Sequence, residues 1–238
     1  MKLDLNCDLG EGEPLARTRA LMRWITSANI ACGGHAGDAR SMRACVRLAK
    51  QFEVNIGAHP GPWSRADLGR GSIHITPDEF ELLLLQQVGA LDKIASREGV
   101  RLHHIKLHGA LYHAAEQDVK LARRYAQTVA RHWPKALIYG FTRGHVLPAA
   151  GAAGLRGRAE GFADRAYQPD GQLVPRPAPD AVLSDVAQIV ARVRELLAGR
   201  GFLAINRHRL PLRIDTLCVH ADSPNALLLV RALARLLR

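Results

Sequence analysis

Short apolar runs alternate with amphipathic stretches from one end of the chain to the other. Short β-branched or apolar runs over Lys2 to Cys7, Ala28 to Cys32, Val54 to Ala58, Leu102 to Leu107, Ala136 to Phe141, Gly157 to Gly161 and Asp215 to Val219 read as strands. Between them, Leu15 to Ile25, Ala39 to Phe52, Pro77 to Glu98, Val119 to His132, Ala181 to Ala198 and Pro224 to Leu237 carry the pattern of helices. Asp38, Thr76 before Pro77 and Ser223 before Pro224 are the expected caps. This alternation of strands and helices predicts a parallel β/α sheet. About seven such units without a dinucleotide fingerprint favour an irregular TIM-like (β/α) barrel over an open doubly wound sheet.

The alternation inside the strands is more telling than their number. Asp4, Asn6 and Asp8 fall on one face of the first strand, opposite Leu3, Leu5, Cys7 and Leu9. His104, Lys106 and His108 oppose Ile105 and Leu107, and Asn55 and His59 oppose Val54, Ile56 and Ala58. If helices cover the apolar face, the lumen is polar.

Nothing in the pattern divides the chain. Residues 1–238 read as one β/α-barrel domain with a hairpin insertion near 201–214, around the polar turn Asn206-Arg207-His208-Arg209. The proline-rich stretch from Pro169 to Pro179 reads as a long functional loop. No run approaches about 18 uninterrupted apolar residues and no apolar h-region opens the chain, so a cytoplasmic protein is expected.

Composition adds one question. With 33 Lys and Arg against 22 Asp and Glu, the 238-residue chain carries a net charge of +11, yet the arginines are spread along helices and aromatic residues are only 5%. Nucleic-acid binding needs a gathered basic face with stacking aromatics, and is not expected. Cys7, Cys32, Cys45 and Cys218 form no C-x-x-C pair and read as buried free thiols.

Polar residues recur where strands end: Asp8 with Glu11, Asn29 with His35, His59, Lys106 with His108, Glu160 with Asp164, and His220 with Asp222. In a β/α barrel these ends converge on one face, so residues distant in sequence meet in one site. Three sharper motifs fail. Asp4-x-Asn6-x-Asp8 lacks the glycine and glutamate of a calcium loop, having Leu9 and Leu15 there. His104-x-x-x-His108 lacks the glutamate of a zinc-protease helix, and no Gly-Lys dipeptide exists to build a P-loop. If a metal is bound, Asp8, His35 and His59 are the expected ligands; the same three serve equally as acid, base and donor without one.

Seven motifs in order, "DLNCDLGEG" (Asp4 to Gly12), "SANIACGGHAGD" (Ser27 to Asp38), "IGAHPG" (Ile56 to Gly61), "IKLHGALYH" (Ile105 to His113), "EGFADRAY" (Glu160 to Tyr167), "DGQLVPR" (Asp170 to Arg176) and "TLCVHADSPNA" (Thr216 to Ala226), resemble the LamB/YcsF family, the A-type component of bacterial 5-oxoprolinase. The resemblance implies a barrel related to the glycoside hydrolase and deacetylase barrels. It also implies an ATP-dependent opening of 5-oxo-L-proline to L-glutamate, with Mg2+ and with two partner subunits of B and C type. Under it, Asp8, Glu11 or His59 is the base toward water, and Lys106 and His108 are donors to the developing oxyanion. Asn6, Asn29, Gly33, Gly34, His35, Tyr112, Glu160, Arg165, His220 and Asp222 are then substrate contacts, Arg165 and the Gly33-Gly34 amides being suited to carboxylate or phosphate. The chain departs from the family pattern at Leu107, His113, Ala221 and the loop from Gly61 to Arg70. A stand-alone metal-dependent amide hydrolase, or a non-catalytic ligand-binding subunit, are the competing expectations.

Overall fold

In the computed structural model, which describes residues 3–176, 178–223 and 225–237, strands and helices alternate from the first element. They are β1 (Asp4–Leu9), α1 (Leu15–Met22), β2 (Ser27–Ala31), α2 (Ala39–Gln51), β3 (Asn55–His59), α3 (Pro77–Arg97), β4 (His104–Lys106), α4 (Gly109–Gln117) and α5 (Val119–His132). There follow β5 (Leu137–Phe141), α6 (Val146–Ala152), β6 (Gly157–Phe162), α7 (Val186–Leu197), β7 (Phe202–Leu203), β8 (Arg209–Leu210), β9 (Thr216–His220) and α8 (Ala226–Leu236).

Seven strands, β1-β2-β3-β4-β5-β6-β9, close into a barrel, all parallel. The expected seven-stranded β/α barrel is therefore the observed one. The short β7 and β8 pair antiparallel outside it, Phe202 opposite Leu210 and Leu203 opposite Arg209. No helix among the described residues is long and apolar enough to cross a membrane.

The apolar core lies between the barrel and its helices. Leu5, Cys7 and Leu9 of β1 and Ile30 of β2 are buried against helix faces such as Met42, Cys45, Val46 and Ala49 of α2. Each of the leucine, isoleucine, valine and methionine side chains contributes on the order of 1.5–3 kcal/mol by leaving water. All four cysteines are buried and unbridged, as expected.

Helix boundaries follow the caps where a cap is present. Asp38 and Thr76 each complete a capping box, with Ser41 and Glu79. Ser223 does not cap: α8 begins at Ala226, and the Ser223 hydroxyl donates to Asp164 instead. Lys2 and Pro224, the first residues of a predicted strand and helix, lie outside the described residues. α7 starts at Val186 rather than Ala181, because the Asp185 carboxylate accepts from the amides of Ala187 and Gln188. Two helices have no counterpart in the sequence reading. α4 follows β4 directly, entered through Gly109 at φ +54°. α6 is only seven residues long, under two turns, and contains a proline, so it is too short to show a repeated apolar period.

Candidate active site

The polar lumen is stacked in layers. At the bottom the Asp4 carboxylate accepts hydrogen bonds from four hydroxyls, those of Thr26, Ser27, Tyr139 and Thr216, at 2.5–3.0 Å. In the middle Asn6 donates to Glu160 Oε1 (3.0 Å) and Thr216 Oγ1 (2.7 Å), while its own carbonyl accepts from Asn29 (2.7 Å). His104 donates through Nε2 to Asn29 Oδ1 (2.6 Å) and stacks on Tyr139. Room for this imidazole comes from Gly57 on the neighbouring strand, where any Cβ would collide with the ring.

At the top Lys106 ends β4 among two carboxylates and a thiol: Asp8 Oδ1 at 2.9 Å, Glu160 Oε1 at 3.0 Å and Cys218 Sγ at 3.1 Å. Burial works against the Lys106 charge, but Asp8, Cys218 and Glu160 outweigh it and hold the ammonium well above the usual lysine range. Burial likewise opposes the Asp8 charge, yet His59 and Lys106 keep its carboxyl well below the usual range. Burial also raises Glu160, only partly offset by Lys106. A buried ammonium matched by two carboxylates is the charge set this lumen can hold.

Above Lys106 opens a cavity of about 710 Å³, with Asp8, His59, Lys106, His108 and His220 toward its floor and Tyr112 and Phe162 on its wall. Its rim is cationic. Arg165, buried, gives hydrogen bonds to the carbonyls of Val174 (2.6 Å) and Ala181 (3.2 Å). Burial and the nearby Arg176 push it down to about 10. Arg70 and Arg176 both reach Asp222, at 2.8 and 3.2 Å. The proline-rich loop supplies one wall through Asp170, Val174, Pro175 and Arg176.

His220 is held on its Nδ1 by Asp164 Oδ1 at 2.9 Å, with Asp164 Oδ2 accepting the His220 amide at 3.0 Å. Burial would raise Asp164, but the His220 contacts and Ser223 bring it below its ordinary value. A buried carboxylate that orients an imidazole toward a cavity leaves the other ring nitrogen, Nε2, for chemistry.

Beside this floor three imidazoles crowd one carboxylate. Glu11 Oε1 lies 2.9 Å from His35 Nε2, 3.1 Å from His108 Nδ1 and 3.7 Å from His59 Nε2. The His35 and His108 rings stack at 3.6 Å. Burial pushes both toward the neutral form, His35 down to about 4 despite its bond to Glu11. Gly61 and Gly69 make the space: a Cβ at Gly61 would strike His35 Nδ1, and one at Gly69 would come within 2.9 Å of His35 Cβ.

Most strand-end residues singled out in the sequence thus converge, but several expectations need correction. The set Asp8, His35 and His59 is gathered only in part: Asp8 Oδ2 lies 3.5 Å from His59 Nε2, but His35 and His59 group with Glu11 and His108, whereas Asp8 groups with Cys218 and His220. The Gly33 amide is not free to cradle an anion. The Gly33 amide donates to the Ala36 carbonyl (2.8 Å), and Gly34 packs against the Gly61 carbonyl and the Gln87 side chain. Asn6 and Asn29 lie beneath the cavity with their amides spent in the lumen. His108 presents no donor to the cavity, since Nε2 donates to the Leu68 carbonyl (2.8 Å) and Nδ1 faces His59 and Glu11. Glu11 stands among the histidines rather than on the cavity lining. Asp222 is an exposed carboxylate already paired with two arginines. Cys218, Arg70 and Arg176 were missed as site residues; the period of two through Thr216, Cys218 and His220 was the available signal for the first.

A profile of the LamB/YcsF family matches residues 3–238. This chain belongs to the LamB/YcsF family. Among its relatives is the A-type component of 5-oxoprolinase from Bordetella pertussis, 42% identical, the match covering 97% of this chain and 93% of the relative. The corresponding 5-oxoprolinase component of Pyrococcus abyssi is 44% identical, covering 95% and 90%. The same barrel is found in the crystal structure of a lactam utilization protein from Thermus thermophilus, with a TM-score of 0.91 at 36% identity over 99% of this chain and 95% of that one. The motifs that resembled the LamB/YcsF family in the sequence build the floor, the histidine cluster and, through Arg165 and Arg176, part of the rim, whereas Arg70 comes from the loop that departs from the family pattern.

Proposed function

We propose that this chain is the A-type component of an ATP-dependent 5-oxoprolinase, and that its cavity receives 5-oxo-L-proline for opening to L-glutamate within a complex with B- and C-type subunits. The observation that carries this reading is the pairing of a cationic rim, Arg70, Arg165 and Arg176, with a buried ammonium, Lys106, on the floor of one cavity. The substrate offers one carboxylate and one amide. The arginines suit the carboxylate; the three ammonium protons of Lys106 are taken by Asp8, Glu160 and Cys218, so it acts on the carbonyl oxygen through its charge.

A five-membered lactam is an unstrained, resonance-stabilised amide, so water alone attacks it slowly. ATP, with Mg2+, enters as co-substrate: phosphorylating the carbonyl oxygen gives an imidate that water can add to. In this reading Lys106 steadies the negative charge that gathers on that oxygen. Asp8, too acidic to be an effective base, keeps Lys106 charged and in place. His220, oriented by Asp164, takes the proton of the attacking water through Nε2.

Reconstitution of the chain with both partner subunits should release glutamate and phosphate together from 5-oxoproline and ATP. Turnover undiminished when this chain is omitted would overturn the reading. His220→Asn in the assembled complex should lower kcat by roughly 10²–10⁴-fold with KM little changed. An unchanged kcat removes His220 from the role given to it.

A further inference from the structure

We propose that Glu11, His35, His59 and His108 form a binding site for one divalent transition-metal ion of the zinc class, a site that none of the lactam chemistry above requires. His59 Nδ1 lies 2.8 Å from the Lys106 carbonyl and His108 Nε2 lies 2.8 Å from the Leu68 carbonyl. A backbone carbonyl can only accept, so in the neutral rings both protons are committed outward. His59 Nε2 and His108 Nδ1 are then bare, and they face each other at 2.9 Å. Glu11 Oε1, a third acceptor, stands 3.1 Å from one and 3.7 Å from the other. With the rings neutral these are three acceptors turned toward one point, where a single cation, either a metal ion or the proton of one imidazolium, holds them together.

Ligands at about 2.0–2.2 Å from a tetrahedral ion lie roughly 3.3–3.6 Å from one another. Four of the separations in the cluster are 2.9, 2.9, 3.1 and 3.7 Å, and all four ligand atoms, His35 Nε2 included, lie within 4.8 Å of one another, so the side chains need part by only a few tenths of an ångström to admit an ion. The set of three imidazoles and a carboxylate suits zinc and its neighbours. Each outward hydrogen bond to a carbonyl fixes a tautomer and a ring plane, as metal-bound histidines require. His35 differs from the other two rings: its Nδ1 is buried with no hydrogen-bond partner among the described residues, and the ring is held by the pairing of Nε2 with Glu11 and by stacking on His108. Leu68 adopts φ +53°, a backbone conformation costly for leucine, where its carbonyl meets His108.

His59 and His108 also line the cavity, and Asp8 Oδ2 lies 3.5 Å from His59 Nε2. An ion here would place a Lewis acid beside the cavity floor.

The test uses the isolated full-length chain and reads the metal, not turnover. The chain is stripped by chelator, returned to buffer and titrated with Zn2+ and with Co2+. Elemental analysis after gel filtration should find one equivalent per chain, and Co2+ should give the strong visible bands of a four-coordinate ion. The melting temperature should rise with metal. Glu11→Gln, close in shape, should weaken binding beyond the roughly 10–100-fold lost when only a hydrogen-bonding partner behind a ligand is removed. His208→Ala, at an exposed histidine of the hairpin turn, should leave it unchanged. Less than a tenth of an equivalent in the wild-type chain, or equal uptake by wild type and Glu11→Gln, overturns the site. Either result leaves the lactam reading to be decided by the reconstitution assay.

Discussion

Lys106 shows how one residue can serve both stability and chemistry. Its ammonium is buried at 2% exposure between Asp8 and Glu160, so removing it strands two carboxylates in the lumen. Lys106→Met should therefore cost about 3–5 kcal/mol of unfolding free energy at neutral pH, whereas Asp8→Asn, which leaves Lys106 paired with Glu160, should cost less. Urea denaturation of the two variants checks the order; equal losses would show that the lumen does not act as a matched charge set. The sequence revealed which residues would meet, because Asp4, Asn6, Asp8, His104 and Lys106 all obey the period of two. It did not reveal which atoms would be spent. Gly33 looked free until its amide was found on Ala36, and His108 looked like a donor until Leu68 took its proton. Those partners come from loops, whose path no periodicity encodes.

At the scale of elements, Glu116 joins α4 to the ends of β5 and α6. Its carboxylate accepts from the amides of Phe141 (2.6 Å) and Val146 (3.2 Å), and Gly144 leaves the space it fills. Burial raises its pKa from 4.5 to about 7, the two amides pulling the other way and Glu160 adding to the rise. The folded chain thus holds this proton more tightly than the unfolded one. Its stabilising contribution is full below about 4.5, falls as pH rises, and is gone above about 7. Wild type should lose on the order of 3 kcal/mol relative to Glu116→Gln across that window, read as the difference between their urea midpoints at each pH. A difference that does not vary with pH would refute it. α4 and α6 were invisible in the sequence for the same reason that Glu116 matters. They are short, carry little amphipathic signal, and are held by contacts to a strand end rather than by a long apolar face.

The whole molecule is cationic, and the cavity rim concentrates that charge. A net charge of +11 with Arg70, Arg165 and Arg176 around one opening raises the local concentration of anions there. Raising ionic strength from about 0.05 to 0.5 M, which shortens the Debye length from roughly 14 to 4 Å, should raise KM for 5-oxoproline several-fold in the reconstituted complex. kcat should move little; a KM flat in salt would show that the rim charge is not used for capture. The barrel itself was legible because seven β/α repeats leave few ways to wind a parallel sheet. Its hairpin, β7 with β8, packs on one side without altering the order of strands.

The layered lumen also sets the terms on which this barrel can change. In an ordinary core, substitutions are tolerated when volume is conserved. Here the conserved quantity is the balance of donors and acceptors. Asn6 gives two protons, to Glu160 and Thr216, and receives one from Asn29, while Asn29 receives one in turn from His104. Exchanging Asn6 for aspartate keeps the shape and reverses the polarity of two of those links, leaving oxygen against oxygen. The interior behaves as a circuit with a direction of flow, so its positions can drift only in compensating pairs.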